Sequence, residues 1–202
     1  MKPPFLQIGL AAAINAAFLW IAASQFRRYG IASKMIAAYP IIGLVVWTLA
    51  EVAVENRSDL APLVYAVLMG SIGVSVATDQ TAGYILDVVT LPSCVFAIVT
   101  EACSASGLRP LAGAFALSGA MLFIYVITRR KGLGLGDVKL AAAIGALLGA
   151  QAGLVSLGLS FVFGGCAAAF LMVSRGASRK MTVPFAPYIA AGALTVLTLA
   201  RG

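Results

Sequence analysis

Apolar residues run through this chain in long blocks separated by short polar breaks. The blocks fall at 5–24, 35–54, 61–78, 84–104, 109–128, 138–150, 153–173 and 183–200. A helix needs about 20 apolar residues to cross a hydrocarbon core about 30 Å thick. The pattern therefore predicts an all-α, polytopic integral membrane protein, a bundle of about eight transmembrane helices. The sixth block is short for a crossing. It begins at membrane depth or runs almost straight into the seventh through the hinge Gly149-Ala150-Gln151-Ala152-Gly153. The first block has the look of a signal peptide, but Arg27 and Arg28 follow it directly, and such a flank marks a retained span. Spans and short loops use up the sequence, so residues 1–202 read as a single transmembrane domain.

Composition sharpens this picture. The chain is 61% hydrophobic and 10% charged, whereas soluble domains are about 45–50% apolar and about 25% charged. It contains no histidine. A Ser-His-Asp triad, a Cys-His pair and a His-ligated zinc are thereby excluded. The formal net charge is +7, but the basic residues form no stripe that would track nucleic acid. They sort by membrane side instead. Ten of them, Arg27, Arg28, Lys34, Arg129, Arg130, Lys131, Lys139, Arg175, Arg179 and Lys180, fall on one side of an eight-span chain. Lys2, Arg57, Arg109 and Arg201 fall on the other. The positive-inside rule makes the richer side cytoplasmic and leaves both termini outside. The lipid bilayer, not nucleic acid, is the expected partner. Cys94, Cys103 and Cys166 form no C-x-x-C and read as small buried hydrophobes.

The acids are few enough to take singly. Glu55 and Asp59 share an outer loop with Arg57, and Glu51 and Glu101 read as interfacial. Asp79 ends the third block and Asp137 begins the sixth. Two spans lie between them, so both face the cytoplasmic side. Ionisable groups at membrane depth are costly and mark functional sites. Two adjacent carboxylates do not both ionise easily, so one pair provides an acid and a base. Such a pair can activate water and protonate a leaving amine without histidine, metal or cofactor. Asp137 lies in Gly132-Leu133-Gly134-Leu135-Gly136-Asp137-Val138-Lys139-Leu140. Its alternating glycines allow close backbone approach, as an extended peptide substrate requires. On chemistry alone, a flexible loop in which Asp137 caps the sixth helix explains the same residues equally well. An ion-coupled transporter or proton channel would also use aspartates at this depth.

Gly134-Leu135-Gly136-Asp137-Val138-Lys139 resembles the G-x-G-D-x-K signature of the bacterial type IV prepilin peptidases, G-x-G-D aspartic membrane proteases. Asp79 with Ile85, Asp87 and Thr90-Leu91-Pro92 resembles that family's first aspartate motif. Tyr39-Pro40 resembles its second-span opening, and Val183-Pro184-Phe185-Ala186-Pro187-Tyr188 the entry to its last span. The matches occur in family order across 39–188, leaving 1–34 as an extra span and a short basic loop. Leu86, Ala186 and Gly43 depart from the usual Pro, Gly and acidic residue.

The resemblance implies catalytic roles for Asp79 and Asp137. Asp87, Gly134, Gly136 and Lys139 would bind substrate or lie beside the site. Asp87 would be an acidic neighbour that orients substrate. Lys139 would either act there or snorkel to anchor its helix. Substrates would be type IV prepilins or pseudopilins, cut behind a short basic leader at the cytoplasmic face of the bacterial inner membrane. No cofactor and no metal are implied. Many members carry a C-x-x-C methyltransferase domain between the first two spans. Here residues 25–34 fill that connection without a cysteine, so the resemblance implies a peptidase without methyl transfer. Within proteases, a presenilin-like or signal-peptide-peptidase-like enzyme is the nearest alternative reading. Such enzymes carry Tyr before the first aspartate, where this chain has Thr78.

Overall fold

The computed structural model describes residues 62–83, 85–102, 107–129, 133–175 and 184–199, together with Ala17, Trp20 and Ser24. The expectations for the second span, for Tyr39-Pro40, Gly43 and Cys103, for the acids at 51, 55 and 59, and for most basic residues lie outside the described residues, as does most of the first span. The described residues form six helices and no strand: α1 Pro62–Ala82, α2 Asp87–Ala102, α3 Arg109–Ile127, α4 Leu135–Leu148, α5 Ala150–Arg175 and α6 Ala186–Leu199.

Helix boundaries differ from hydropathy boundaries where polarity and helix-breaking part company. The third apolar block ends at residue 78, but Asp79-Gln80-Thr81 carries no breaker, and α1 continues for another turn. It stops at Gly83, whose φ of 70° lies in the left-handed region that glycine tolerates. Asp79 is therefore inside the last turn of α1 rather than beyond it. At the other expected boundary, Gly134 is the N-cap of α4 and Asp137 is its third residue. The expectation of an Asp137 N-cap is corrected accordingly. The five-residue hinge after α4 contracts to Gly149 alone, at φ 76°, and α5 starts at the next residue.

Helix α4 is the hub and touches every other described helix. Leu140, Ala141, Ala143, Ile144 and the run to Leu148 are buried. Its closest neighbour is α3, where Gly145 and Gly113 meet backbone to backbone. A Cβ on either glycine would overlap the other's carbonyl. Small residues at a crossing let helices approach where no hydrophobic gain drives them together. The α5–α6 crossing uses the same device, with Gly192 against Ser156 and Ser160. Helices α1 and α2 are joined instead by hydroxyls, the Ser75 and Thr90 side chains lying 3.2 Å apart.

Among the described residues, two helices, Arg109–Ile127 and Ala150–Ser174, are long and apolar enough to cross a membrane, and Asp87–Val99 and Ala186–Leu199 are shorter apolar helices. Their outer surfaces carry Phe115, Phe123, Val126, Val155, Val162, Phe170 and Val173, all exposed. An exterior this apolar belongs in lipid. The same environment explains one correction. Cys94 is buried, but Cys166 is exposed on α5, because in a bilayer a small apolar side chain can face hydrocarbon as readily as a core.

Candidate active site

One end of the bundle collects the C-terminus of α1 and the N-termini of α2, α4 and α6. Asp79 arrives on α1. Its Oδ2 accepts a hydrogen bond from the backbone N–H of Ala186, at 2.9 Å. Ala186 is the first residue of α6. The first amides of a helix have no partner of their own and carry the positive end of its dipole, so they favour a carboxylate. The amide of Phe185 also donates to Asp79.

Asp137 arrives on α4 and reaches back over its own first turn. The Gly134 N–H donates to its Oδ2 at 3.1 Å. That contact fixes the side chain, which is only 7% exposed. Its other oxygen, Oδ1, is buried and has no hydrogen-bond partner among the described residues. A buried carboxyl oxygen without a partner is costly unless a proton, water or ligand occupies it. Asp79 and Asp137 lie within electrostatic reach of one another. The two aspartates singled out in the sequence thus come together, each steadied by amides at a helix N-terminus.

The glycines of the loop have different tasks. A Cβ on Gly136 would lie 2.9 Å from the Ile85 Cβ, so this position admits the side chain that follows α1. A Cβ on Gly134 would meet nothing closer than 3.4 Å, the distance to Asp137 Oδ2. Gly134 has φ −89° and ψ 151°, a conformation open to any residue.

Asp87 and Lys139 are brought together with each other. Lys139 Nζ and Asp87 Oδ2 form an ion pair at 2.6 Å, half in solvent. Lys139 is therefore engaged across the α2–α4 boundary. Sequence reasoning did not anticipate this pair, although the opposite charges in two adjacent motifs were visible. It also missed Ala186 as the donor to Asp79, Ile85 as the partner of Gly136, and Ser75 as the partner of Thr90. Backbone donors and packing contacts leave no residue-type signal. The α6 entry adds an aromatic cluster, with the Phe185 ring 5.1 Å from Phe161 and 6.3 Å from Tyr188.

Comparison with known proteins covers the same ground. The type IV leader peptidase family matches residues 64–169, from α1 into α5. A prepilin leader peptidase/N-methyltransferase of Burkholderia pseudomallei (strain 1026b) is 30% identical over 170 residues, covering 80% of this chain and 54% of the relative. A protein of the same name from Aeromonas hydrophila is 40% identical over 65 residues, covering 32% of this chain and 22% of its own. One from Pseudomonas putida is 40% identical over 73 residues, covering 36% and 25%. The chain spans about half the length of the first of these relatives. No solved structure gives a significant match. The matched stretch contains Asp79, Asp87 and the whole Gly134–Lys139 segment, and the chain belongs to the type IV leader peptidase family.

Proposed function

We propose that this protein is a membrane aspartic endopeptidase that removes the basic leader from type IV prepilins or pseudopilins, with Asp79 and Asp137 as its catalytic pair. The observation that carries the reading is the placement of these two carboxyls at one end of the bundle within electrostatic reach of one another, one oxygen of Asp137 being buried and without a hydrogen-bond partner among the described residues. The pair holds one proton between its members. The ionised member takes a proton from water, and the water oxygen attacks the scissile carbonyl. The protonated member stabilises the developing oxyanion and then delivers its proton to the leaving amine as the C–N bond breaks. The family and the names of the relatives support the same substrate class.

In this reading the chain is one domain of about eight spans in the bacterial inner membrane, its pair facing the cytoplasm and both termini outside. The ten-against-four sorting of basic residues supports that orientation. Asp87, Gly134, Gly136 and Lys139 flank the pair. The absence of any C-x-x-C in the sequence supports leader removal without methyl transfer by this chain. Co-expression with a prepilin from the same genome, followed by gel analysis of leader removal, tests the reading. Release of the mature pilin is the expected outcome. A protein inert towards every such prepilin contradicts it.

A further inference from the structure

We propose that Asp87 and Lys139 are a positioning pair that sets the alignment of Asp137 against Asp79. The inference rests on the peptidase reading for its kinetic test but not for its geometric one. Asp137 lies between two residues that dock on the segment just after α1. On one flank Gly136 packs on Ile85, its missing Cβ leaving room for that side chain. On the other, Lys139 Nζ binds Asp87 Oδ2 at 2.6 Å. Residues 136 and 139 are three apart and share one face of α4. Residues 85 and 87 are their counterparts. Close upstream, the Gly83 N–H donates to the carbonyl of Asp79 at 3.0 Å and closes the last turn of α1. The chain from Asp79 to the dock is therefore short.

Helix α4 is packed from Leu140 onward, and at its first turn the Gly136–Ile85 contact and the ion pair together hold one face against the segment after α1. Asp137 is one residue away from the first contact and two from the second, so a roll of this turn moves its carboxyl directly. Asp87 is the first residue of α2, where the helix dipole favours a carboxylate and holds it for the lysine. The side chains are 34% and 52% exposed, Lys139 and Asp87 respectively. An ion pair this accessible adds little to folding stability, so its loss leaves the bundle intact. A small misalignment of reacting groups, in contrast, lowers rate by one or two orders of magnitude.

The test uses the full chain in membranes. Asp87→Asn, Lys139→Met and the double variant are compared for leader-cleavage kinetics. The expected result is a kcat about tenfold lower for each single variant, KM unchanged, and a double variant no worse than either. An Asp87→Asn variant with raised KM beside a silent Lys139→Met overturns the proposal and makes Asp87 a substrate contact. Additive losses overturn it as well. A second readout needs no substrate. Asp79→Cys and Asp137→Cys are introduced after Cys94, Cys103 and Cys166 are replaced by Ala, and a short thiol cross-linker is applied. Cross-linking falls when Asp87→Asn is added. An unchanged yield overturns the positioning role, whether or not cleavage is observed.

Discussion

Asp79 accepts the backbone N–H of Ala186 at 2.9 Å, across 107 residues of chain. The contact fastens the end of α1 to the start of α6 and orients one carboxyl of the pair. Its donor is a main-chain group at the first position of a helix, which permits a clean perturbation. Proline is tolerated at that position but brings no N–H. Ala186→Pro removes the donor at a fully buried position, and cleavage is expected to fall at least about tenfold, the scale of losing one charge-assisted hydrogen bond. Ala186→Gly keeps the donor and is expected to keep activity. Cleavage rates of the two variants at matched expression check this.

Gly134 and Gly136 look equivalent in the sequence and are not equivalent in space. Gly136→Ala drives a methyl group to 2.9 Å from Ile85 Cβ, which is branched and held in the 8%-exposed wall of the site. Overpacking of this kind costs about 1–3 kcal/mol, and here it displaces the turn that carries Asp137. Gly134→Ala meets only ordinary contacts. Cleavage is expected to fall about tenfold or more for the former and to stay within about twofold for the latter. Equal losses at the two positions contradict the account.

At the α3–α4 crossing, Gly145 and Gly113 admit no side chain without parting the helices. Gly145→Val is expected to destabilise the bundle by more than the about 1–3 kcal/mol of a simple overpacked methylene, because the obstruction is backbone. Thermal unfolding in detergent measures it. A Cβ at Gly119 or Gly158 would meet nothing within 4 Å among the described residues, so Gly119→Ala and Gly158→Ala serve as controls that keep the transition temperature.

Much of this was legible in the primary structure. The apolar blocks predicted α3 to within one residue at either end and α5 to within three, because a long apolar run bounded by charges has one stable form in lipid. Asp79 and Asp137 stood out because so few acids are present. Less legible were the ends of α1 and α4. Hydropathy records where lipid stops, whereas a helix stops at a residue such as Gly83 that takes positive φ. Gly134, not Asp137, caps α4, since the side chain reaches back from the third position. The Asp87–Lys139 pair joins residues 52 apart, and only the packing of α2 beside α4 reveals it.

A pair of carboxyls without histidine also fixes the form of the pH dependence. In the proposed mechanism, activity needs one member protonated and one ionised. Acid protonates both and base ionises both, so the rate falls on either side of an optimum. The two limbs belong to the pair and not to one residue. A bell-shaped profile of kcat/KM is expected for the full chain in liposomes. A rate that rises through neutrality and stays level into alkali contradicts the shared-proton mechanism.

In the proposed reading, two carboxyls at one end of this bundle perform the cleavage together. The most direct measurement is prepilin leader removal by Asp79→Asn and Asp137→Asn, tested separately beside the unaltered protein at equal membrane abundance. Asparagine keeps the size of the side chain and one carbonyl oxygen, so the amides of Ala186 and Gly134 retain an acceptor. The account predicts loss of cleavage in both variants with the bundle intact. Full cleavage by either one contradicts it.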